Sequence, residues 1–371
     1  KFMPYFNEII LFEDDGKLSN FSLNVILYPH FTISVITKSD LEKIDSQKMF
    51  KIYDKWPEIA KNSYNSNFEK VNFGEVKHIV FAGMGGSGAI GDIFSSILSK
   101  TNIHVNVVKG YLLPNTVNSS TLVITTSVSG NTKETLSVLS EAKRLGCRII
   151  AFSDAGVMED YCKKNSIEHR KIQMHHSPRA SFTAFLYSML NVLKNTLPIK
   201  NEDVLESIEK IELLQTKISS ENLTENNLAL SLAQWIKNVP LVYYPWGLQS
   251  VATRFKNSLQ ENTKLHAMIE DVIEACHNGV VSWEKKSNVQ PILIEGVDDH
   301  IKTKERYEIL KELLNQNNIE YKEIMSEKGS ILTKIINLIY FLDYSTIYKA
   351  VLDKVDPSPV KSIDFVKSKL T

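Results

Sequence analysis

The segment GMGGSG at residues 83–88 decides the fold that this sequence predicts. A short apolar run precedes it at 78–82 and an amphipathic pattern follows it at 89–100, which predicts a strand, a tight glycine turn and a helix. Short β-branched runs separated by helices predict a parallel sheet with helices on both faces. The alternation continues with strands predicted at 103–108, 121–126, 147–152 and 168–173, and helices at 132–145 and 157–165.

A second region with the same alternation begins after residue 198. We therefore expect an α/β protein with two doubly wound parallel-sheet domains, at 46–198 and 199–371. Residues 1–45 contain two apolar runs around a polar turn, which predicts an N-terminal extension in the form of a hairpin. The second region has predicted helices at 202–219, 222–237, 248–261, 302–314 and 331–354, and predicted strands at 240–244, 291–295 and 320–325.

The composition limits the class of protein. A chain of 371 residues fits two domains, and its 43% hydrophobic and 23% charged residues are ordinary for a soluble globular protein. Lys plus Arg and Asp plus Glu both number 43, so the formal net charge is zero. Because proteins that bind nucleic acid usually carry a basic excess, this balance argues against such a partner.

Three further features concern the cellular compartment. The chain has three cysteines with no pair at CxxC spacing, a sparse use that is typical of a reducing compartment. The first residues lack the basic segment and apolar run of a signal peptide. The most apolar stretch, 331–348, contains Lys334 and Asp343, which predicts a buried helix rather than a membrane span. We expect a cytoplasmic protein without membrane association.

The glycines at 83–88 allow more than one interpretation. Their spacing fits the G-x-G-x-x-G fingerprint of dinucleotide sites. That fingerprint requires an acidic residue at the end of the next strand, and residues 106–110 contain none. A strand-to-helix turn in which glycine only avoids a steric clash is the other ordinary explanation.

A second motif, SVSGNTKET at 127–135, favours an anion site. Ser127, Ser129 and Thr132 bring three hydroxyls to the start of a predicted helix, where free amides and the helix dipole attract a dianion. Helix capping by Ser129 or Thr132 is the alternative, but it explains only one of these hydroxyls. Because two such loops at the ends of parallel strands converge, the pair favours a phosphate monoester over a pyrophosphate.

These two motifs together resemble the sugar isomerase (SIS) domain. The chain as a whole resembles the bifunctional phosphoglucose/phosphomannose isomerases, which consist of two SIS domains, over about residues 50–371. The resemblance implies a cofactor-free aldose–ketose isomerase that interconverts glucose 6-phosphate, and also mannose 6-phosphate, with fructose 6-phosphate. Further matching segments are Pro178-Arg179-Ala180, the run 254–264, His277-Asn278 ahead of Val281-Ser282-Trp283, and 356–367.

The same resemblance implies a role for individual residues. Glu261 would move a proton between C1 and C2 of a cis-enediol, and Arg179 would offset the negative charge of the enediolate. His277, supplied by the partner subunit of a homodimer, and Lys367 would assist ring opening. Without the resemblance, each of these side chains has an ordinary surface or packing role as its alternative. The phosphate would be held by Gly86, Ser87, Ser127, Ser129 and Thr132.

The sequence departs from the family pattern at one point. The family string Asn-His-Asn-Glu is replaced by Cys276-His277-Asn278-Gly279, so the acidic neighbour of the histidine is missing. No cluster of His, Asp and Glu has metal-ligand spacing, which disfavours a metal-dependent mannose-6-phosphate isomerase. A non-catalytic phosphosugar sensor and an isomerase for another phosphosugar, such as an amino sugar, are the alternative functions.

Overall fold

The computed structural model describes residues 36–370, so the predicted hairpin, with its apolar runs at 8–12 and 22–27, lies outside the described residues, whereas the end of the predicted extension contains a helix. Three short helices come first: α1 (Lys38–Ile44), α2 (Met49–Asp54) and α3 (Trp56–Tyr64). A capping box between Thr37 and Asp40 begins α1. Pro57 lies in the first turn of α3, where its missing N–H leaves no helical hydrogen bond unmade.

The first sheet has five parallel strands in the order β2-β1-β3-β4-β5. Helix α4 begins earlier than predicted, inside the glycine segment, because the amides of Ser87 and Gly88 already donate to the Met84 carbonyl oxygen. The strands are β1 (His78–Ala82), β2 (His104–Val108), β3 (Leu122–Thr126), β4 (Arg148–Ser153) and β5 (Glu168–Lys171), with helices α4 (Gly85–Leu98), α5 (Lys133–Arg144), α6 (Val157–Lys164) and α7 (Phe182–Val192).

The second sheet has four parallel strands in the order β7-β6-β8-β9. Its strand β7 was not predicted, because the short sequence Met-Ile-Glu-Asp has no apolar run to mark it. The strands are β6 (Val239–Tyr244), β7 (Met268–Asp271), β8 (Val289–Glu295) and β9 (Lys322–Met325); the helices are α8 (Asn201–Ile218), α9 (Leu228–Trp235), α10 (Gln249–Ser258), α11 (Val272–Ala275), α12 (Ile301–Gln316), α13 (Ile331–Leu352) and α14 (Lys361–Lys369).

Two predicted helices are shorter in the structure. The helix predicted at 222–237 begins only at Leu228, because the side chain of Asn227 caps it by accepting from the Leu230 amide. The helix predicted at 248–261 ends at Ser258 and continues as a π-helical turn, Leu259–Thr263.

Helix α13 lies at the centre of the molecule. It is long and apolar enough to cross a membrane, but 89% of its apolar window is buried inside the protein, as predicted for a core helix. It packs on α8, α9 and α10. One continuous hydrophobic core contains α3, α7 and α13 together with residues of both sheets, such as Ile124 and Ile292. This shared core fixes the loops of one sheet against those of the other.

Candidate active site

The hydroxyl-bearing loops of the first sheet lie together at the carboxyl ends of β1 and β3. The Val128 amide donates to Ser87 Oγ at 3.3 Å, which joins the two loops, and the hydroxyls of Ser127 and Thr132 are 2.9 Å apart. Ser87 and Ser127 are buried, whereas Ser129 is exposed on the same loop. The structure therefore brings Ser87, Ser127 and Thr132 into one cup, with Ser129 at its rim.

Helix capping does not account for these hydroxyls. Thr132 occupies the N-cap position of α5, but its side chain makes no capping hydrogen bond and instead meets Ser127. The first amides of α5 therefore keep their affinity for an anion. Gly130 has a φ of +68°, and a Cβ there would lie 1.6 Å from the Ala155 carbonyl oxygen, so only glycine fits this turn.

Gly86 connects the cup to Arg179. A Cβ on Gly86 would lie 3.2 Å from the Pro178 carbonyl oxygen and 3.5 Å from Arg179 Cα, so the glycine loop packs directly on the Pro178–Arg179 backbone. Arg179 is only 5% exposed, which excludes the alternative of an ordinary surface ion pair. Its Nη1 donates to Glu261 Oε2 at 3.2 Å.

Glu261 lies on the π-helical turn that follows α10. A π-turn widens the helix by one residue, and such turns often occur at functional sites. The turn ends at Lys264, which has a left-handed backbone with φ +62°. Glu261 is part of the wall of a cavity of about 810 Å³, which is also lined by Gly85, Lys264, His266, Asp356 and Lys361.

Lys264 ties the C-terminal segment to this turn. Its Nζ donates to the carbonyl oxygens of Glu261 at 2.5 Å and Pro359 at 2.8 Å. Burial, with a contribution from the nearby Arg179 charge, lowers the pKa of the Lys264 ammonium group. Sequence reasoning included Lys264 in a matching motif but gave it no role, since nothing in the sequence indicates that the chain returns to it at residue 359.

His277 and Lys367 do not line the cavity that contains Glu261. His277 is exposed between α11 and a 3₁₀ helix, Gly279–Glu284, and does not line the cavity that contains Glu261. Lys367 is exposed on α14, whose first residue, Lys361, does line the cavity. His266, which the sequence analysis did not single out, also lines it.

The acidic neighbour of His277 that the family pattern has is missing from this sequence, but another carboxylate, that of Glu270, lies beside the segment. A Cβ on Gly279 would lie 2.3 Å from Oε1 of Glu270, so the Glu270 side chain from β7 occupies the space next to that glycine. Burial, and then the like charge of Glu274, raise the pKa of Glu270. The side chain of Asn278 donates to Glu274 at 2.8 Å and accepts from the Gly279 amide, so this turn is held by its own residues.

A buried ion pair holds the backbone of Arg179 in place. Arg254 Nη2 donates to Asp343 Oδ2 at 2.7 Å, and Asp343 is fully buried in α13. The same Arg254 nitrogen donates to the Arg179 carbonyl oxygen at 2.8 Å, while Ser258 Oγ donates to Asp343 Oδ1 at 2.7 Å. Within residues 36–370, no group of three or more His, Cys, Asp or Glu side chains could hold a metal ion.

The chain has the fold of a two-domain SIS protein. Residues 73–193 match the SIS domain, and residues 225–370 match the bacterial phospho-glucose isomerase C-terminal SIS domain. Among solved structures, the C-terminal domain of glucosamine-fructose-6-phosphate aminotransferase from Francisella tularensis aligns with TM-score 0.62 and 14% identity, covering 83% of this chain and 96% of that one. Tagatose-6-phosphate ketose/aldose isomerase from Escherichia coli aligns with TM-score 0.58 and 16% identity, over 87% and 94% of the two chains. These likenesses confirm the predicted fold class.

Curated relatives identify the family. A bifunctional phosphoglucose/phosphomannose isomerase of Caldicellulosiruptor bescii is 33% identical over 84% of this chain and 94% of its own. One of Aquifex aeolicus is 32% identical over 79% and 90%. A D-glucosamine-6-phosphate 4-epimerase of Sulfolobus acidocaldarius is 25% identical over 66% and 77%. The chain belongs to the bifunctional phosphoglucose/phosphomannose isomerase family and is an isomerase, as the sequence motifs predicted.

Proposed function

We propose that this isomerase interconverts glucose 6-phosphate and mannose 6-phosphate with fructose 6-phosphate, and that it needs no cofactor. The observation that carries the proposal is the 3.2 Å contact between Arg179 and Glu261, because Glu261 lies in the wall of a cavity that Gly85 also lines. A carboxylate and a guanidinium in contact close to the glycine loop support a role in proton transfer next to a bound phosphate. The names of the relatives support the choice of sugar.

The arrangement suits proton transfer through a cis-enediol. With the phosphate in the cup, Glu261 removes the proton from C2 of the aldose and returns it to C1, so that one carboxylate serves both steps. The enediolate carries negative charge in between, and Arg179, which is fixed and largely removed from water, is placed to stabilise it. Each proton removed is returned to the sugar, so the step needs no redox partner.

We further propose a homodimer in which His277 reaches the partner's cavity and Lys367 assists ring opening. The position of His277, exposed and away from the cavity of its own chain, supports a role in another subunit. Mixing Glu261→Gln and His277→Asn proteins tests this arrangement. Mixed dimers should recover about a quarter of wild-type activity, because half of the dimers are mixed and each has one intact site. No recovery would contradict the shared site.

A coupled assay with glucose 6-phosphate and mannose 6-phosphate, run with and without a chelator, tests the activity. We expect turnover of both sugars that the chelator does not change. Binding of these sugars without turnover would instead support a phosphosugar sensor. Glucosamine 6-phosphate belongs in the same assay, because one relative is named as an epimerase of that sugar.

We also propose a soluble cytoplasmic protein that acts on small molecules and not on nucleic acid or membranes. The zero formal charge, the free thiols of its cysteines and the burial of α13 support this assignment. Fractionation of cells that express the protein, with immunodetection in the cytoplasmic and membrane fractions, tests it.

A further inference from the structure

Nearly every N–H group of the Arg179 side chain donates a hydrogen bond. Its Nε donates to Asn262 Oδ1 at 2.8 Å, and its Nη2 donates to the carbonyl oxygens of Pro357 at 2.7 Å and Ser358 at 3.0 Å. With the Glu261 contact, four of the five guanidinium N–H groups have partners among the described residues. The fifth belongs to Nη1, the nitrogen that contacts Glu261. The plane of the guanidinium therefore decides where this free Nη1 donor points beside Glu261.

The Asn262 amide can serve Arg179 in only one orientation. Arg179 Nε–H needs an acceptor, so Oδ1 of Asn262 must point toward it and the NH₂ group must point away. The NH₂ group donates to Thr346 Oγ1 at 2.8 Å, and both side chains are buried.

Thr346 makes that orientation obligatory. Its hydroxyl has one proton, which it donates to the Asp343 carbonyl oxygen at 2.6 Å, so Oγ1 can only accept from Asn262. A flipped Asn262 would place two acceptors, Oδ1 and Oγ1, against each other and two donors against each other at Arg179. A buried mismatch of this kind is unfavourable because neither pair can turn to water.

We propose that Thr346 is a positioning residue that sets the plane of Arg179 through the amide of Asn262. This inference rests on the proposed function, in which Arg179 stabilises the enediolate. The same turn of α13 also holds the backbone of Arg179, because Asp343 pairs with Arg254, which donates to the Arg179 carbonyl oxygen. Both ends of Arg179 are thus fixed from one turn of a helix that does not line the cavity.

Thr346→Val tests the proposal because it keeps the shape of the side chain and removes the acceptor. We expect about a tenfold lower kcat with KM changed less than about threefold, since Arg179 acts on the transition state more than on the bound sugar. Thr346→Ser should restore kcat. If Thr346→Val gives no folded protein, Thr346→Ala removes the same acceptor without adding a methyl group.

Ser345→Ala is the matched control. Ser345 is also buried, and its hydroxyl donates to the Leu342 carbonyl oxygen in the same way, but no hydrogen bond joins it to Asn262. Its kcat should stay at the wild-type value. Equal losses in Ser345→Ala and Thr346→Val would show a general effect on α13, and wild-type kcat in Thr346→Val would also overturn the proposal.

Two measurements separate this inference from the proposed function. In an Arg179→Gln background, Thr346→Val should no longer change kcat, because the residue through which it acts is absent. In arginine-labelled ¹⁵N protein, Thr346→Val should shift or broaden the Nε–H signal that Arg179→Gln removes. An unchanged signal would overturn the positioning role, whereas a wild-type protein without isomerase activity would overturn the proposed function alone.

Discussion

The two sheets have corresponding strand orders but different loops at their carboxyl ends. In the first sheet, the loops after β1 and β3 bring Ser87 and Ser127 together. In the second sheet, the loop after β8 contains Asp298 and Asp299 instead, and both are satisfied locally: Asp298 pairs with Lys334, and Asp299 accepts from the Gly296 amide at 2.7 Å. Two carboxylates in this loop would repel a phosphate, whereas the hydroxyls and helix amides of the first sheet would favour one.

The difference indicates that the two halves contribute different chemical groups to the proposed site, although they share one architecture. The first sheet offers amides and hydroxyls for an anion, and the second half contributes Glu261 from a π-turn that lies outside its own strand loops. Function therefore resides in the loops and turns that each domain carries, because the shared architecture is the same in both. Four predictions test this division, beginning with the largest expected effect.

Glu261→Gln should remove the proposed base, which the second domain contributes to the site. We expect kcat to fall by about 10²- to 10⁴-fold, the range for a positioned acid–base group, while KM for fructose 6-phosphate stays within about threefold. Steady-state kinetics measure both constants. Glu323→Gln, an exposed carboxylate on β9, is the control and should keep wild-type kinetics. A near-normal kcat in Glu261→Gln would assign the base to another group, with Asp356 in the cavity wall as the first to test.

Asp343→Asn should destabilise the part of the second half that holds the Arg179 carbonyl oxygen of the first half. It leaves the Arg254 charge buried without its counter-ion, which costs about 3–5 kcal/mol of unfolding free energy in comparable cases. Urea unfolding followed by circular dichroism measures this loss. Glu141→Gln removes the partner of Arg144 at the surface and should change the unfolding free energy by about 1 kcal/mol or less. Equal effects of the two substitutions would mean that the buried pair contributes no more to stability than a surface pair.

Ser127→Ala should affect binding more than chemistry. A lost hydrogen bond to a charged group is worth about 1.5–3 kcal/mol, so KM should rise by about tenfold to a hundredfold with little change in kcat. Asp298→Asn, in the loop after β8, should keep KM within about twofold of the wild-type value, because we assign the phosphate to the loops of the first sheet and not to this loop. If the two substitutions raised KM equally, the assignment of the phosphate to the first sheet would be wrong.

Acid should destabilise the protein through histidines of the first domain. Burial lowers the pKa of His169, His175 and His176 below their ordinary value of 6.5. The unfolded chain therefore binds more protons than the folded one, so the unfolding free energy falls as the pH drops from about 6.5 through the folded pKa values. Urea unfolding between about pH 7.5 and pH 5 measures the slope, and His169→Gln should make it shallower.

Carboxylates of the second domain should act in the opposite direction. Burial raises the pKa of Glu270, Glu295 and Asp299, so the folded chain binds these protons more tightly and gains stability as the pH falls through their folded pKa values. Glu270→Gln removes one such gain and should therefore steepen the loss of stability in acid. An identical slope in wild type, His169→Gln and Glu270→Gln would contradict both parts of this prediction.

Much of the fold was predictable because it depends on local patterns. Strands β1 to β4 stand out as short runs with β-branched residues, and eight of the nine strands within residues 36–370 coincide with predicted ones. Strand β7 escaped prediction because its pairing with β6, and not its composition, makes it a strand. The π-turn at Leu259–Thr263 likewise depends on contacts with α13 and the C-terminal segment, which no local propensity encodes.

The residues of the candidate site also divide into those that the sequence could predict and those that it could not. Ser87, Ser127 and Thr132 were predictable because glycines and hydroxyls at the ends of parallel strands must converge. The resemblance to a family pointed to Arg179 and Glu261, but only the structure shows their contact. Asn262, Thr346 and Lys264 could not be found from sequence, since their partners are distant along the chain. The roles of His277 and Lys367 stay predictions.

The sequence by itself determined the alternation of strands and helices and the cup of hydroxyl groups, since both follow from periodicity and from the few residues that suit a tight turn or a helix start. Only the tertiary structure decided which side chains of the second half meet the first. The core around α13 brings residues 179, 261 and 346 together from far apart in the chain, and a hydrogen bond depends on distance in space rather than separation in sequence.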